Sequence, residues 1–292
     1  MGSGNHLNFG RTPSPVCAYL RDLAGWCDTE IPLNQLAVAE AVHGAAADFS
    51  IHSEYLFGAP VAGGRVDARI SRTPFTYAPP RTDEFVTNDD AYLRDLRHTY
   101  QDRGYDSETW ELDENGKAQR HVELNKGQPR TAEYLMLEAE VQDLTRQTQA
   151  GRGRVLVHPA EFYLGLQRPS DRFLAIGAAF EPKVAAFLPD GKAVQGVAVR
   201  VELFRRNWTH AVEDRAADSL YYQTNVHDEP AGECTLTTQT KPVNCALRLN
   251  EPGYYIARVS ARDRLKNQTF ASHSFYVRYL HDMYDLIEPR GT

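Results

Sequence analysis

The sequence predicts an all-β protein: two successive antiparallel β-sandwich domains behind a short N-terminal extension. Three observations predict it. Apolar and polar residues alternate with period two in many short runs, the runs are separated by Gly, Pro, Asn and Asp, and two segments recur about one domain apart. Successive side chains of a strand face opposite sides of a sheet, so a sheet with one buried face needs apolar residues only at every second position.

Taken in chain order, residues 1–35 read as an extension or partial domain that packs elsewhere. The opening Met1-Gly2-Ser3-Gly4 has the look of an artificial start. The first sandwich is expected over 36–158 and the second over 159–280, with 281–292 as a linker. Near the start of each sandwich stands a turn followed by an alternating strand. One runs from Phe57 to Ile70, the other from Pro189 to Leu203, with Val66, Ala68 and Ile70 corresponding to Val199, Val201 and Leu203. Near the end of each stands a strand, a polar turn opened by aspartate, and a closing strand. These are Tyr134–Asp143 then Gly153–Val157, and Tyr255–Asp263 then Ser274–Val277. Further strands are expected at Phe49–Leu56, Gln119–Leu124, Glu161–Gln167, Arg172–Ala178 and Val184–Phe187. The helical signals are weak: Ile31–His43, and Asp89–Tyr100, where Leu93 and Leu96 stand three apart. Residues 74–113, with Tyr77-Ala78-Pro79-Pro80 and Asn88-Asp89-Asp90, read as a long insertion within the first sandwich.

Composition bounds the function. The chain has 292 residues, 42% hydrophobic and 24% charged, which are globular values. No run of 18 apolar residues occurs, so no transmembrane helix is expected. The net charge of −7 has both signs interspersed, which disfavours a nucleic-acid partner. The first 30 residues lack a signal-peptide pattern, so any export signal is expected to have been removed or never present.

The four cysteines form two close pairs, Cys17 with Cys27 and Cys234 with Cys245, neither at the Cys-x-x-Cys spacing of metal and redox sites. Local disulfides are the better reading, because the polar stretch between Cys234 and Cys245 can close as a hairpin. They would persist only in an oxidising compartment. The other connectivities, and four reduced thiols in a cytoplasmic protein, stay open.

Motifs for common chemistry are missing: there is no Gly-x-Ser-x-Gly elbow, His-Glu-x-x-His pair or phosphate-binding Gly-x-x-x-x-Gly-Lys loop. No catalytic residue, cofactor site or metal site is assigned. His52, His121 and His158 read as ordinary surface or strand residues. Asp83, Glu84, Asn88, Asp89 and Asp90 offer oxygen ligands but lack a calcium loop's glycine order, so a solvated loop is the simpler reading. Trp26, Trp110 and Trp208 could build a binding platform, but strand aromatics more often fill a core. Asn207-Trp208-Thr209 and Asn267-Gln268-Thr269 are glycan acceptors only in a glycosylating pathway.

Several phrases together resemble one family. Glu54-Tyr55-Leu56-Phe57-Gly58-Ala59-Pro60-Val61-Ala62-Gly63 is similar to the strand-turn phrase of the macroglobulin-like domains of bacterial α-2-macroglobulins, large thioester-type protease inhibitors. Phe187-Leu188-Pro189-Asp190-Gly191-Lys192-Ala193-Val194-Gln195-Gly196-Val197, followed by Arg205-Arg206-Asn207-Trp208, resembles a later domain of that family. So does the cysteine-flanked hairpin followed by Pro252-Gly253-Tyr254-Tyr255. The resemblance spans residues 45–280 and implies macroglobulin- or fibronectin-III-like sandwiches. No cysteine is followed by the family's thioester motif. The resemblance therefore implies a non-catalytic structural module of a broad-spectrum inhibitor that cages proteases. It also implies a periplasmic or extracellular location, anchored to an inner membrane only through parts outside this chain. The expected partners are proteases, met through the full-length protein, and other domains of the same chain. Two rivals remain: an independent adhesin or carbohydrate- or peptide-binding module that reads its ligand with residues 74–113, and an enzyme built on Asp89 and Asp90.

Overall fold

The computed structural model describes residues 3–10, 15–18, 39–55, 58–93, 106–125, 127, 129–169, 173–215 and 219–279, with backbone alone at 3–10, 15–18, 39, 210–215 and 219–224. The chain divides into two units. The first comprises residues 1–76 and 97–159, the second 77–96 and 160–292.

The first unit is a sandwich of two sheets. One contains β1 (Ser3–Gly10), β2 (Pro15–Ala18), β4 (Ala46–Tyr55) and β8 (Lys117–Glu123) in the order β2-β1-β4-β8. The other contains β3 (Ala39–Val42), β5 (Arg65–Phe75), β7 (Asp106–Glu111), β9 (Ala132–Gln142) and β10 (Thr148–His158) in the order β3-β10-β9-β5-β7. Period-two alternation sets which residues enter the core. Val66, Ala68 and Ile70 of β5 lie beside Leu135, Leu137, Ala139 and Val141 of β9, with Phe49 and Ile51 of β4 in the same cluster. A leucine buried like Leu135 or Leu137 stabilises the fold by about 1.5–3 kcal/mol relative to exposure.

The second unit repeats the plan. Its strands are β6 (Phe85–Val86), β11 (Tyr163–Gln167), β12 (Phe173–Ala175), β13 (Ala179–Phe180), β14 (Lys183–Phe187), β15 (Ala198–Arg215), β16 (Ser219–Thr237), β17 (Val243–Asn244), β18 (Leu247–Arg248), β19 (Gly253–Arg262) and β20 (Gln268–Arg278). The order β12-β20-β19-β15-β16 copies β3-β10-β9-β5-β7, including the one parallel pair at the edge, β12 with β20 and β3 with β10. The order β6-β11-β14-β17 copies β2-β1-β4-β8. Val199, Val201 and Leu203 enter the second core as Val66, Ala68 and Ile70 enter the first.

The aspartate-opened turns are duplicated too. Asp143 N donates to Gln147 O at 2.9 Å and Asp263 N to Asn267 O at 3.0 Å. Each aspartate also accepts backbone N–H bonds from within its own loop, and Arg146 and Lys266 take the same positive φ, 65° and 66°. This is a hairpin loop that ends in a left-handed residue. The outer strand β16 carries Pro230 beside a register shift at Leu203/Phe204, which interrupts an edge that would otherwise offer a continuous row of backbone groups.

Three expectations need correction. Of the extension expected over residues 1–35, the described residues 3–10 and 15–18 belong to the first sandwich: β1 pairs with β4 from Ser3↔Tyr55 to Gly10↔Asp48 and is an inner strand of its sheet. Only Leu7 and Phe9 alternate there, between glycines, too short a run to read as a strand. The helix expected at Ile31–His43 is β3 at Ala39–Val42, which pairs in parallel with Val155–His158; residues 31–38 lie outside the described residues. The short amphipathic turn or helix expected at Asp89–Tyr100 begins as helix at residues 90–93, and the rest lies outside the described residues. The stretch 74–113 is not one insertion of the first sandwich, because 77–96 belongs to the second unit.

Candidate functional site

The feature that composition does not explain is residues 77–93, which run along the second sandwich. Pro79 and Pro80 keep the start extended, since proline fixes φ and disfavours helix in the residue before it. Thr82 Oγ1 donates to Pro79 O at 2.6 Å and closes a turn in which Arg81 has φ 62°. The Tyr77 ring lies 5.3 Å from that of Tyr163, and its hydroxyl donates to Pro189 O at 2.9 Å. That carbonyl opens the Pro189-Asp190-Gly191-Lys192 turn. Gly191 has φ 85°, and a Cβ there would stand 2.1 Å from Pro80 O. The glycine is required both for the turn and for the seating of the segment.

Next comes β6, which pairs with β11 through Leu166↔Val86 and Gln167↔Phe85. Phe85 packs edge-on against Phe187 at 5.2 Å, in space that Gly165 leaves open; a Cβ on Gly165 would meet Phe187 at 2.5 Å and Phe85 at 3.0 Å. β6 fills the sheet position that β2 fills in the first unit, so residues 77–93 complete the second sandwich.

The segment then crosses onto the outer face of the sheet containing β19 and β20. Ser272 N donates to Asn88 O at 3.0 Å, and Ala91 N donates to Ser272 Oγ at 3.1 Å. Asp89 is 0% exposed and accepts two bonds from Arg258 of β19, Nε at 3.1 Å and Nη2 at 2.6 Å. Three residues on, Tyr92 donates its hydroxyl to Asp228 of β16 at 2.8 Å. Asp228 also accepts a forked pair from Arg206 of β15, at 2.7 and 2.8 Å. The two guanidiniums flank the Tyr92 ring, Arg258 at 4.6 Å and Arg206 at 5.0 Å from its centroid, and Arg258 also lies 4.0 Å over Phe270. Burial pushes the Tyr92 hydroxyl well above its ordinary value, reinforced by its bond to Asp228. The Arg206 guanidinium holds the Asp228 carboxyl below the carboxylate range.

Chemically this is a latch. Both oxygens of Asp89 are engaged by one guanidinium, and the residue is 0% exposed, so its carboxylate is closed off from solvent. Burial raises the carboxyl of Asp90, offset in part by Arg168 at 3.7 Å. The structure thus divides the acidic stretch: Asp89 is bonded inward, while Asp83 and Glu84 are exposed. Among the described residues no group of three His, Cys, Asp or Glu is placed to hold a metal ion.

The remaining expected residues scatter. Cys234 and Cys245 form a disulfide whose Cα atoms are 6.7 Å apart, in the second unit. The bridge expected between Cys17 and Cys27, like Trp26, lies outside the described side chains. His121 contacts Asp48 at 2.6 Å, and His158, buried at the end of β10, is 3.6 Å from Glu40. Trp110 packs against the first core, whereas Trp208 is exposed. Asn267 is buried and donates to Asp263 at 2.9 Å, so its side chain serves the hairpin loop. Sequence reasoning missed Arg258, Tyr92 and Asp228. The one available signal was an arginine at an outward position of an otherwise apolar strand, in Tyr255-Ile256-Ala257-Arg258-Val259.

Comparison with known proteins agrees with this architecture. Residues 165–279 match the family of bacterial macroglobulin domain 6. Over 228 residues the chain is 27% identical to an α-2-macroglobulin homolog from Nostoc sp., covering 78% of this chain and 12% of that protein. Its fold is similar to the native conformation of Escherichia coli α-2-macroglobulin, with TM-score 0.54 and 13% identity over 96% of this chain and 20% of that one. It is likewise similar to Salmonella α-2-macroglobulin reacted with methylamine, with TM-score 0.53 and 14% identity over 96% and 19%. The chain therefore spans 12% of the length of its curated relative. The duplicated strand order defines a tandem of macroglobulin-like β-sandwich domains. Residues 165–279 match that domain family and the chain is similar to bacterial α-2-macroglobulins, which supports a structural module of such proteins.

Proposed function

We propose that this chain is a non-catalytic pair of sandwich domains within a broad-spectrum protease inhibitor, and that its task is to hold shape in the cage around a trapped protease. The observation that carries this reading is the macroglobulin domain match over 165–279 on a unit whose conspicuous polar cluster is bonded inward. A similar structure is Escherichia coli α-2-macroglobulin activated by porcine elastase, with TM-score 0.52 and 17% identity, so proteases are the partner class proposed for the full-length protein. The periplasm or another extracellular space is the proposed location, since the Cys234–Cys245 bridge is stable only where thiols are oxidised. No helix among the described residues is long and apolar enough to cross a membrane.

The test uses the full-length protein and trypsin. A cage blocks a large protein substrate while leaving a small peptide substrate accessible, so trypsin mixed with the full-length protein should lose activity on casein and keep it on a short chromogenic peptide. This chain alone should alter neither. Stoichiometric inhibition of both substrates by this chain alone would overturn the reading, as would full activity on casein in the presence of the full-length protein.

A further inference from the structure

The outer face of the β12-β20-β19-β15-β16 sheet carries a second feature, beside the latch and not used by it. Five large side chains, one from each strand, form a row across it. Val226 is the cross-strand partner of Trp208. The Trp208 ring lies 5.0 Å from that of Tyr254, Tyr254 5.0 Å from Tyr276, and Tyr276 5.8 Å from Phe173. Tyr254 precedes Tyr255, and Tyr276 stands between Phe275 and Val277; those neighbours enter the second core, so the row faces away from it. Trp208 and Tyr276 are each 44% exposed and Val226 48%. At about 150–250 Å² for a whole aromatic side chain, Trp208 and Tyr276 alone leave on the order of 150–200 Å² in water.

The duplicated plan places a corresponding row in the first unit. Tyr254↔Tyr276 corresponds to Tyr134↔Leu156. Trp208, two residues past the partner of Tyr254, corresponds to Phe75, two residues past the partner of Tyr134. Phe75 keeps the ring contact, 4.8 Å from Tyr134. At the next strand the two units differ. Outward-facing Leu156 is 4% exposed and His158, two residues on, 1%, whereas Tyr276 is 44% exposed and Arg278 only half-buried. One position of a shared plan is thus closed in the first unit and open in the second. Arg278 rests on the Phe173 ring at 4.3 Å, and among the described residues no carboxylate pairs with it. Aromatic residues and arginine are the types enriched at the centre of protein interfaces. The linker expected over 281–292 lies outside the described residues.

Resting on the reading of this chain as part of a larger inhibitor, we propose that the row is the seat of a further domain of the same polypeptide, one that lays an apolar surface on the rings and sets a carboxylate against Arg278. This chain spans 12% of its curated relative, so a polypeptide of that plan has further domains to place. A contact between domains of one chain buries about 600–1,500 Å², and the row supplies its apolar centre with Arg278 at the rim. Successive rings from Trp208 to Tyr276 are inclined by 59° and 70°, which makes ridges that interdigitate with side chains rather than a flat platform for a sugar chain.

The test is hydroxyl-radical footprinting read by mass spectrometry, on this chain and on the full-length protein, with rates normalised to an added reporter peptide. Oxidation of Trp208 and Tyr276 should be at least about fivefold slower in the full-length protein, as expected when residues 44% exposed become buried. Arg278→Glu in the full-length protein should restore at least about half of the lost rate, because two carboxylates then face each other in a desolvated contact, and Arg278→Lys should keep the protection. Unchanged melting of Arg278→Glu in this chain alone shows that the second unit still folds. Equal oxidation in the two proteins overturns the proposal, and full protection in Arg278→Glu overturns the carboxylate partner. Ring protection in this chain that rises with its concentration also overturns it, because a second copy then covers the row, as does protection by added chitotetraose, because a sugar then does. The footprint is read without protease: slow oxidation beside unhindered cleavage of casein supports this interface and overturns the cage reading alone.

Discussion

Removing the carboxylate of Asp89 tests the latch directly. Asp89 is 0% exposed and its partner Arg258 has a side chain 17% exposed, so Asp89→Ala leaves a guanidinium in a site largely closed to water. Breaking a buried pair from one side typically costs about 3–5 kcal/mol, because the surviving charge is desolvated without compensation. Here the flanking Tyr92 and Phe270 rings recover a part, which places the expected loss near the lower end, about 3 kcal/mol. With a urea m-value of about 1.5–2 kcal/mol/M for a domain of this size, the midpoint of the second unit falls by roughly 1.5–2 M. Arg258→Ala should lose a similar amount, and the double variant little more than either single, since each removes the same interaction. Asp89→Asn keeps the shape and removes the charge, so a loss close to that of Asp89→Ala assigns the effect to the ion pair. The assay is urea titration followed by hydrogen exchange, with peptides from β19 and β20 reporting the second unit and those from β9 and β10 serving as control. Single losses below about 1 kcal/mol, losses that add in the double variant, or equal destabilisation of both units would refute the latch.

Three further outcomes follow from the same geometry. His273, buried between Phe180 and Phe275, is held neutral, with burial lowering its pKa from 6.5 to about 4. The unfolded chain binds the extra proton between those values, so this contribution is complete above pH 6.5 and is lost as pH falls toward 4, about 3 kcal/mol in all; His273→Phe should flatten that window in a pH series of thermal melts, and an unchanged slope would contradict it. Gly191→Ala places a methyl group against Pro80 O at a φ of 85°, so it should cost about 2 kcal/mol or more and loosen residues 77–82 in hydrogen exchange, whereas Gly196→Ala, at a similar φ with open space around it, should cost less. Reducing the Cys234–Cys245 bridge opens a loop with a sequence separation of 11 and should destabilise the second unit by about 3 kcal/mol, read as a lower Tm of that transition with dithiothreitol; equal melts with and without reductant would show that the bridge does not constrain the unfolded chain.

Strands that carry their own alternation are legible in the sequence. Val66, Ala68 and Ile70, and again Val199, Val201 and Leu203, announce both their strand and its buried face, because one pattern of five or six residues is enough to place them. The aspartate-opened loops are legible for the same local reason: a side chain that bonds its own backbone needs no distant partner. The bridge between Cys234 and Cys245 also follows from a short closable hairpin. β1 is not legible, since Leu7 and Phe9 alone cannot signal a strand and its place is set by pairing with β4. Nor is β3, where Ala39–Val42 sits in a stretch with helical spacing and becomes a strand only by lying beside Val155–His158.

The candidate site lies at the far limit of this rule. Asp89 and Arg258 are 169 residues apart, and Tyr92 and Asp228 are 136 apart. By itself the sequence determined the class of fold, its duplication and the faces of most strands, because these depend on side-chain periodicity within a few residues. Only the tertiary structure decided that residues 77–93 complete the second sandwich and that Asp89 is a bonded, buried partner rather than a free acid. The free energy of a buried charge is set by what surrounds it in space, and the spacing of residues along the chain carries no record of that.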